Sequence, residues 1–218
     1  ITREIGTVFI PRIEPNEYRI LDETLYKNDS FYKTLWVPKD SQWWYFDVRK
    51  PKMGLVTLAG ESYNPLYTTP ISKRNYSDVA SFLFEPLSDT LLDISWIRYV
   101  IVWLKDEVNE DNFFRFYGST PKQYSDALWK FPFLREIHIP WIRETQIFEN
   151  TGYLSPIFLS SDTIGKSNMD DLIYKDLDFT QVNPSHYTVS INLEDRIRHI
   201  NISQKFNKNW SLFIGPFT

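Results

Sequence analysis

Across 218 residues the chain carries 42% hydrophobic and 17% aromatic side chains, no cysteine, and a formal net charge of −4. The missing thiols exclude a disulfide framework, a thiolate metal site and a cysteine nucleophile, and the acidic balance leaves the residues shown no bulk electrostatic grip on nucleic acid. The length buries a core without staples and suits one all-β unit, so we read residues 1–218 as a single domain.

The 16 Phe, 13 Tyr and 8 Trp favour pleated, half-buried surfaces, while 13 Pro and 7 Gly cut the chain into short segments. Residues 6–13 (GTVFIPRI) are apolar but contain Pro11, which suits an edge strand, and residues 1–15 read as an extended arm. Residues 31–37 and 42–49 alternate, and residues 53–59 and 80–85 are short apolar runs. The clearest strand signal is residues 93–105, DISWIRYVIVWLK. There Ile94, Trp96, Val100, Val102 and Leu104 share one face, with Arg98 out of place, and Ile97, Tyr99, Ile101 and Trp103 occupy the other. Apolar residues on both faces predict a strand covered on both sides, one by core and the other by an extra layer or another chain.

A polar turn follows at residues 105–111, then a short strand at 113–117. Thr120-Pro121-Lys122-Gln123 predicts a helix start: an N-cap, a proline at the first helical position and a capping-box glutamine at the third. Tyr124, Leu128 and Phe131 then form its apolar stripe, and residues 166–176 offer a second helix. Strands are predicted at 133–139, 141–149, 187–193, 196–204 and 210–214. The series points to an all-β fold, an antiparallel β-sandwich or jelly roll with one or two short helices in loops.

Chemical motifs are sparse. Asp106, Glu107, Glu110 and Asp111 offer hard oxygen ligands for Ca2+, but they lack the spacing and glycine of a calcium loop, and a solvated hairpin turn explains them as well. The same holds for Asp170, Asp171, Asp176 and Asp178. His138, His186 and His199 are dispersed and read as structural histidines rather than a zinc or nucleophile set. No phosphate loop, G-x-S-x-G or H-E-x-x-H is present, and no carboxylate pair stands out, so we expect no enzyme and no cofactor. Sequons at Asn28, Asn75, Asn201 and Asn209 read as plain surface asparagines. No apolar run approaches the ~20 residues that span a bilayer, and none reads as a signal peptide; the absence of cysteine suits folding inside a cell.

Residues 96–111 (WIRYVIVWLKDEVNED) resemble the strand and turn of the small single-jelly-roll capsid proteins of satellite and circular single-stranded DNA viruses, in the pattern R-x-x-I-V-W carried by Arg98, Ile101, Val102 and Trp103. Residues 120–131 are similar to the helical excursion of that family, Leu134-Arg135-Glu136-Ile137 to its return strand, and residues 198–214 to its last hairpin. The likeness covers about a third of the chain. It implies a structural capsid protein that self-assembles into a closed icosahedral shell, located in the virion after assembly in the host cell. It also implies partners in copies of itself and in viral nucleic acid, the latter through a basic arm upstream of Ile1. Ca2+ at subunit contacts would fall to the 106–111 turn. Trp96, Tyr99 and Trp103 are the expected interface anchors, because aromatics are enriched at subunit contacts. The alternative is a carbohydrate- or ligand-binding β-sandwich in which Trp43, Trp44, Trp129, Trp141 or Trp210 stacks on sugar rings.

Overall fold

A computed structural model describes residues 16–25, 27, 31–38, 51–55, 58, 88–104, 119–162, 172–183, 186–191, 199–203 and 211. Its helices are α1 (Asn16–Leu25), α2 (Ser88–Ile94) and α3 (Pro121–Leu128). Its strands are β1 (Lys33–Val37), β2 (Lys52–Gly54), β3 (Ile97–Trp103), β4 (Leu134–Ile137), β5 (Thr145–Asn150), β6 (Ile157–Ser160), β7 (Tyr174–Asp176), β8 (Phe179–Asn183), β9 (His186–Val189) and β10 (His199–Ile202). The described chain is mostly strand, in several sheets with few short helices, as the composition implied.

The main sheet has the order β2-β1-β3-β5-β4, beside a three-stranded sheet β10-β6-β7 and the hairpin β8-β9. Pairing is antiparallel for β3–β5, β4–β5, β6–β7, β6–β10 and β8–β9. It is parallel for β1–β2 and β1–β3, a departure from the all-antiparallel expectation. The physical reason lies in burial. Every residue of β1 is buried, Lys33 included, and β3 is buried at all but Arg98. Strands covered on both faces read as continuous apolar runs, which is the habit of parallel neighbours.

The long strand expected over 93–105 is shorter than its apolar pattern. Asp93 and Ile94 close α2, and the chain reverses through Ser95 and Trp96, where φ is 52°. The Asp93 carbonyl accepts from the Trp96 N–H at 3.0 Å and from the Leu154 N–H at 3.1 Å, so this corner is pinned to the β5–β6 connection. Within β3, Lys33 pairs with Ile97 and Thr34 with Tyr99, which leaves Arg98 as an extra residue, a β-bulge. A bulge re-aims one side chain. Arg98 is the one misfit in the alternation because the backbone slips there by one residue.

The main core gathers Leu21 and Leu25 of α1, Leu35 and Trp36 of β1, Val100 and Val102 of β3, Leu128 of α3 and Phe148 of β5. Strand β6 lies between two apolar clusters: Phe158 joins the main core, while Ile157 and Leu159 form a small second core with Leu177.

Helix α3 forms where expected. Thr120 Oγ1 accepts from the Gln123 N–H at 3.3 Å and Gln123 Oε1 accepts from the Thr120 N–H at 2.8 Å, the reciprocal capping box. Thr120→Ala is expected to cost about 1 kcal/mol of stability, measured by urea unfolding, because the Gln123 N–H loses its defined acceptor.

Predicted strands recur as β1, β2, β4, β5, β9 and β10, all shorter than expected, with Lys52, Asn150 and His186 one residue beyond the expected limits. Helices α1 and α2 and strands β6 and β8 were not foreseen. Of the helix expected over 166–176, residues 174–176 are instead strand β7, which pairs with β6 through Ser160 and Tyr174, and residues 166–171 lie outside the described residues. The arm over 1–15, the strands expected at 6–13, 42–49, 80–85 and 113–117, that at 210–214 except residue 211, and the acidic turn at 106–111 lie outside the described residues.

Candidate functional site

Strand β3 was expected to offer Trp96, Tyr99 and Trp103 to another subunit. All three are buried within the chain itself. Trp103 packs on Trp36 with ring centroids 5.0 Å apart, Tyr99 meets Tyr32 edge-on at 5.2 Å, and the Lys33 ammonium stands 5.1 Å from the Trp96 ring. Their apolar area is already covered, so they serve as anchors of the interior rather than as exposed contacts. An apolar strand pattern states that both faces are covered but not by what.

The bulge places Arg98 among aromatic rings. Its guanidinium lies 5.2 Å from the Tyr99 ring, 5.3 Å from Tyr153 and 5.6 Å from Tyr32, and pairs with Glu149 at 3.1 Å. Glu149 also binds Arg135 at 2.7 Å, so one carboxylate serves two guanidinium groups. Burial works to lower the Arg98 pKa, but Tyr99, Tyr153 and Glu149 together raise it above its ordinary value. Burial raises the Tyr99 pKa, against the pull of Arg98. The group is fully engaged and acts as a lock between β3, β4 and β5.

A second polar knot ties α2 to β5. Asn150, buried, donates through Nδ2 to Asp93 Oδ1 at 2.7 Å and to the Ile97 carbonyl at 3.1 Å, while its Oδ1 accepts from the Gly152 N–H at 3.0 Å. A Cβ at Gly152 would lie 2.9 Å from Asp93 Oδ2, so any larger residue there would have to displace the Asp93 carboxyl. Burial pushes the Asp93 carboxyl up from 3.8 to about 6, the Asn150 hydrogen bond draws it partly back, and Asp89 adds to the rise.

The histidines do not converge. His138 follows β4, 3.7 Å from Glu136, and His199 on β10 lies 3.8 Å from Asp162, while His186 opens β9 in the separate hairpin. Among the described residues no group of three His, Cys, Asp or Glu gathers to hold a metal. Asp106, Glu107, Glu110 and Asp111, with Trp43, Trp44 and Trp210 of the aromatic candidates, lie outside the described residues. No helix among the described residues is long and apolar enough to cross a membrane.

Exposed apolar residues are the remaining surface feature among the described residues: Leu104 just after β3, a set on the β6–β10 half, and two tryptophans. On the β6–β10 half of the chain, Ile173, Val182, Ile191, Ile200 and Ile202 are all exposed. Ile200 pairs with Leu159 and Ile202 with Ile157, so both extend the face of the small second core into solvent. Trp129 is 57% exposed at the C-cap of α3, edge-on to Phe148, and Trp141 is 77% exposed between β4 and β5.

Trp141 is held in an unusual way. The Ile142 N–H donates to the Ile139 carbonyl at 3.2 Å, closing a turn with Pro140 and Trp141 at its centre, and Trp141 has a φ of 76°. This is the pattern of a type II turn, whose third position normally takes glycine. Ile139 and Ile142 pack on the main core. The Glu17 carboxylate of α1 accepts the N–H of Arg143 at 2.6 Å and of Glu144 at 2.9 Å. Sequence reading did single out Trp141 but missed the clamp, because Glu17 lies 126 residues away from Arg143.

Comparison of the chain with protein-family models, with curated proteins and with solved structures found no match.

Proposed function

We propose that this chain is a structural protein that completes its surface with copies of itself, in the manner of a viral shell subunit around a genome. The observation that carries the reading is the set of exposed aliphatic side chains Ile173, Val182, Ile191, Ile200 and Ile202 on the β6–β10 half. Two of them continue the face of a core, so they are more than singly scattered surface residues. Because β3 is covered internally, the contact surface of the proposal moves from β3 to the small sheets. The antiparallel sheets β10-β6-β7 and β8-β9 support a jelly roll as the finer form, from which the parallel run β2–β1–β3 departs.

Size-exclusion chromatography with light scattering tests the proposal. The expected result is a species heavier than the 26.0 kDa chain that grows with concentration, and Ile200→Lys with Ile202→Lys returns it to a monomer of unchanged circular dichroism. A wild-type monomer at every concentration overturns it.

A second reading, a ligand-binding β-rich module, is favoured by the two outward tryptophans, Trp141 above all. An aromatic ring offers a large, rigid contact area with few torsions to freeze.

A further inference from the structure

Resting on the second reading, we propose that the turn between β4 and β5 is a stacking platform for an anionic sugar residue, with Trp141 supplying the ring face and Arg143 the positive charge.

The argument begins with conformational cost. A tryptophan at positive φ is an outlier that folding tolerates only where its surroundings over-determine the backbone. Here they do. The turn hydrogen bond, the packed flanks Ile139 and Ile142, and the double N–H contact to Glu17 fix the loop on both sides. Yet the side chain so held is 77% exposed and contributes little to the core. Glycine or asparagine would meet the backbone demand better. A side chain that strains its backbone without being buried has its use outside the molecule, and a ring fixed in advance loses little freedom on binding.

The charge next to it selects the ligand. Arg143 is exposed and its guanidinium has no ion-pair partner among the described residues. The Glu17 carboxylate beside it is turned to other work, holding the backbone N–H groups of Arg143 and Glu144. A planar guanidinium pairs with a carboxylate in a two-pronged hydrogen bond. One ring and one unpaired cation suit a short ligand with a single negative charge. A polynucleotide draws its affinity from many phosphate contacts, which a chain of net charge −4 does not provide in bulk.

Titration calorimetry with sialyllactose and a glucuronic-acid oligosaccharide, against lactose and a glucose oligomer, tests this. The expected result is weak but saturable binding of the acidic sugars, lost in Trp141→Gly and Trp141→Asn while the melting temperature stays equal or rises. Arg143→Gln is expected to weaken the acidic sugars about tenfold, the loss of one charge-assisted pair, and to leave neutral sugars unchanged. Equal binding of acidic and neutral sugars overturns the anionic preference while the platform stands. No binding of any sugar overturns both this inference and the reading beneath it. Binding that survives both Trp141 variants, or tighter binding of an oligo-dT strand, overturns the site assignment.

Discussion

Glu149→Ala is expected to lower the unfolding free energy by about 2 kcal/mol, between the loss for an exposed pair and that for a fully buried one, because the Arg98–Glu149 pair is partly buried. The guanidinium of Arg98 would be left among Tyr32, Tyr99 and Tyr153 without a carboxylate. Arg135→Ala removes the other cation from the same carboxylate, but Arg135 is 71% exposed, so the expected loss is below about 1 kcal/mol. Glu149→Gln falls between the two, since its carbonyl still accepts a hydrogen bond from Arg98. Urea titrations of the three variants, with an unchanged dependence on urea, check the order. Equal losses for Glu149→Ala and Arg135→Ala would mean that enclosure of Arg98 contributes nothing.

The pH dependence of stability carries the second large effect. Burial raises the Asp93 carboxyl from 3.8 to about 6, so between these values the folded chain holds a proton that the unfolded chain has released. Stability from this group is therefore fully present below pH 3.8 and is lost as pH rises toward 6. The slope is about 1.4 kcal/mol per pH unit, or roughly 3 kcal/mol in all. Asp93→Asn cannot ionise, and its amide oxygen still accepts from Asn150. It is expected to be more stable than wild type at neutral pH by up to that amount, with the advantage vanishing near pH 4. Thermal unfolding of both proteins from pH 4 to 8 gives the difference curve. A flat difference would show that Asp93 stays ionised within the fold at no cost.

Both effects arise from pairs that lie far apart in the chain, 51 residues for Arg98 with Glu149 and 57 for Asp93 with Asn150. In the sequence Arg98 is the single misfit of an apolar strand, and Asp93 is merely its first residue. The bulge that turns Arg98 toward Glu149 depends on how β1 aligns with β3. The corner that ends α2 depends on the β5–β6 connection lying against the Asp93 carbonyl. Neither partner is visible within a local window.

What the sequence by itself determined is local. The capping box of α3 needs only Thr120, Pro121 and Gln123, and it forms as written. The β-rich class follows from aromatic and β-branched runs, and β1, β4, β5, β9 and β10 lie where those runs lie. Tertiary structure alone decided which aromatics are inside. Trp96 and Trp103 are enclosed and Trp129 and Trp141 are exposed, although all four are tryptophans in apolar surroundings of the chain. It also decided that β1 pairs in parallel, that Glu17 clamps the turn beyond Trp141, and that β3 is covered by its own chain. The physical reason is that hydrogen-bond caps and alternation act over a few residues, whereas burial depends on which distant segment arrives to cover a face.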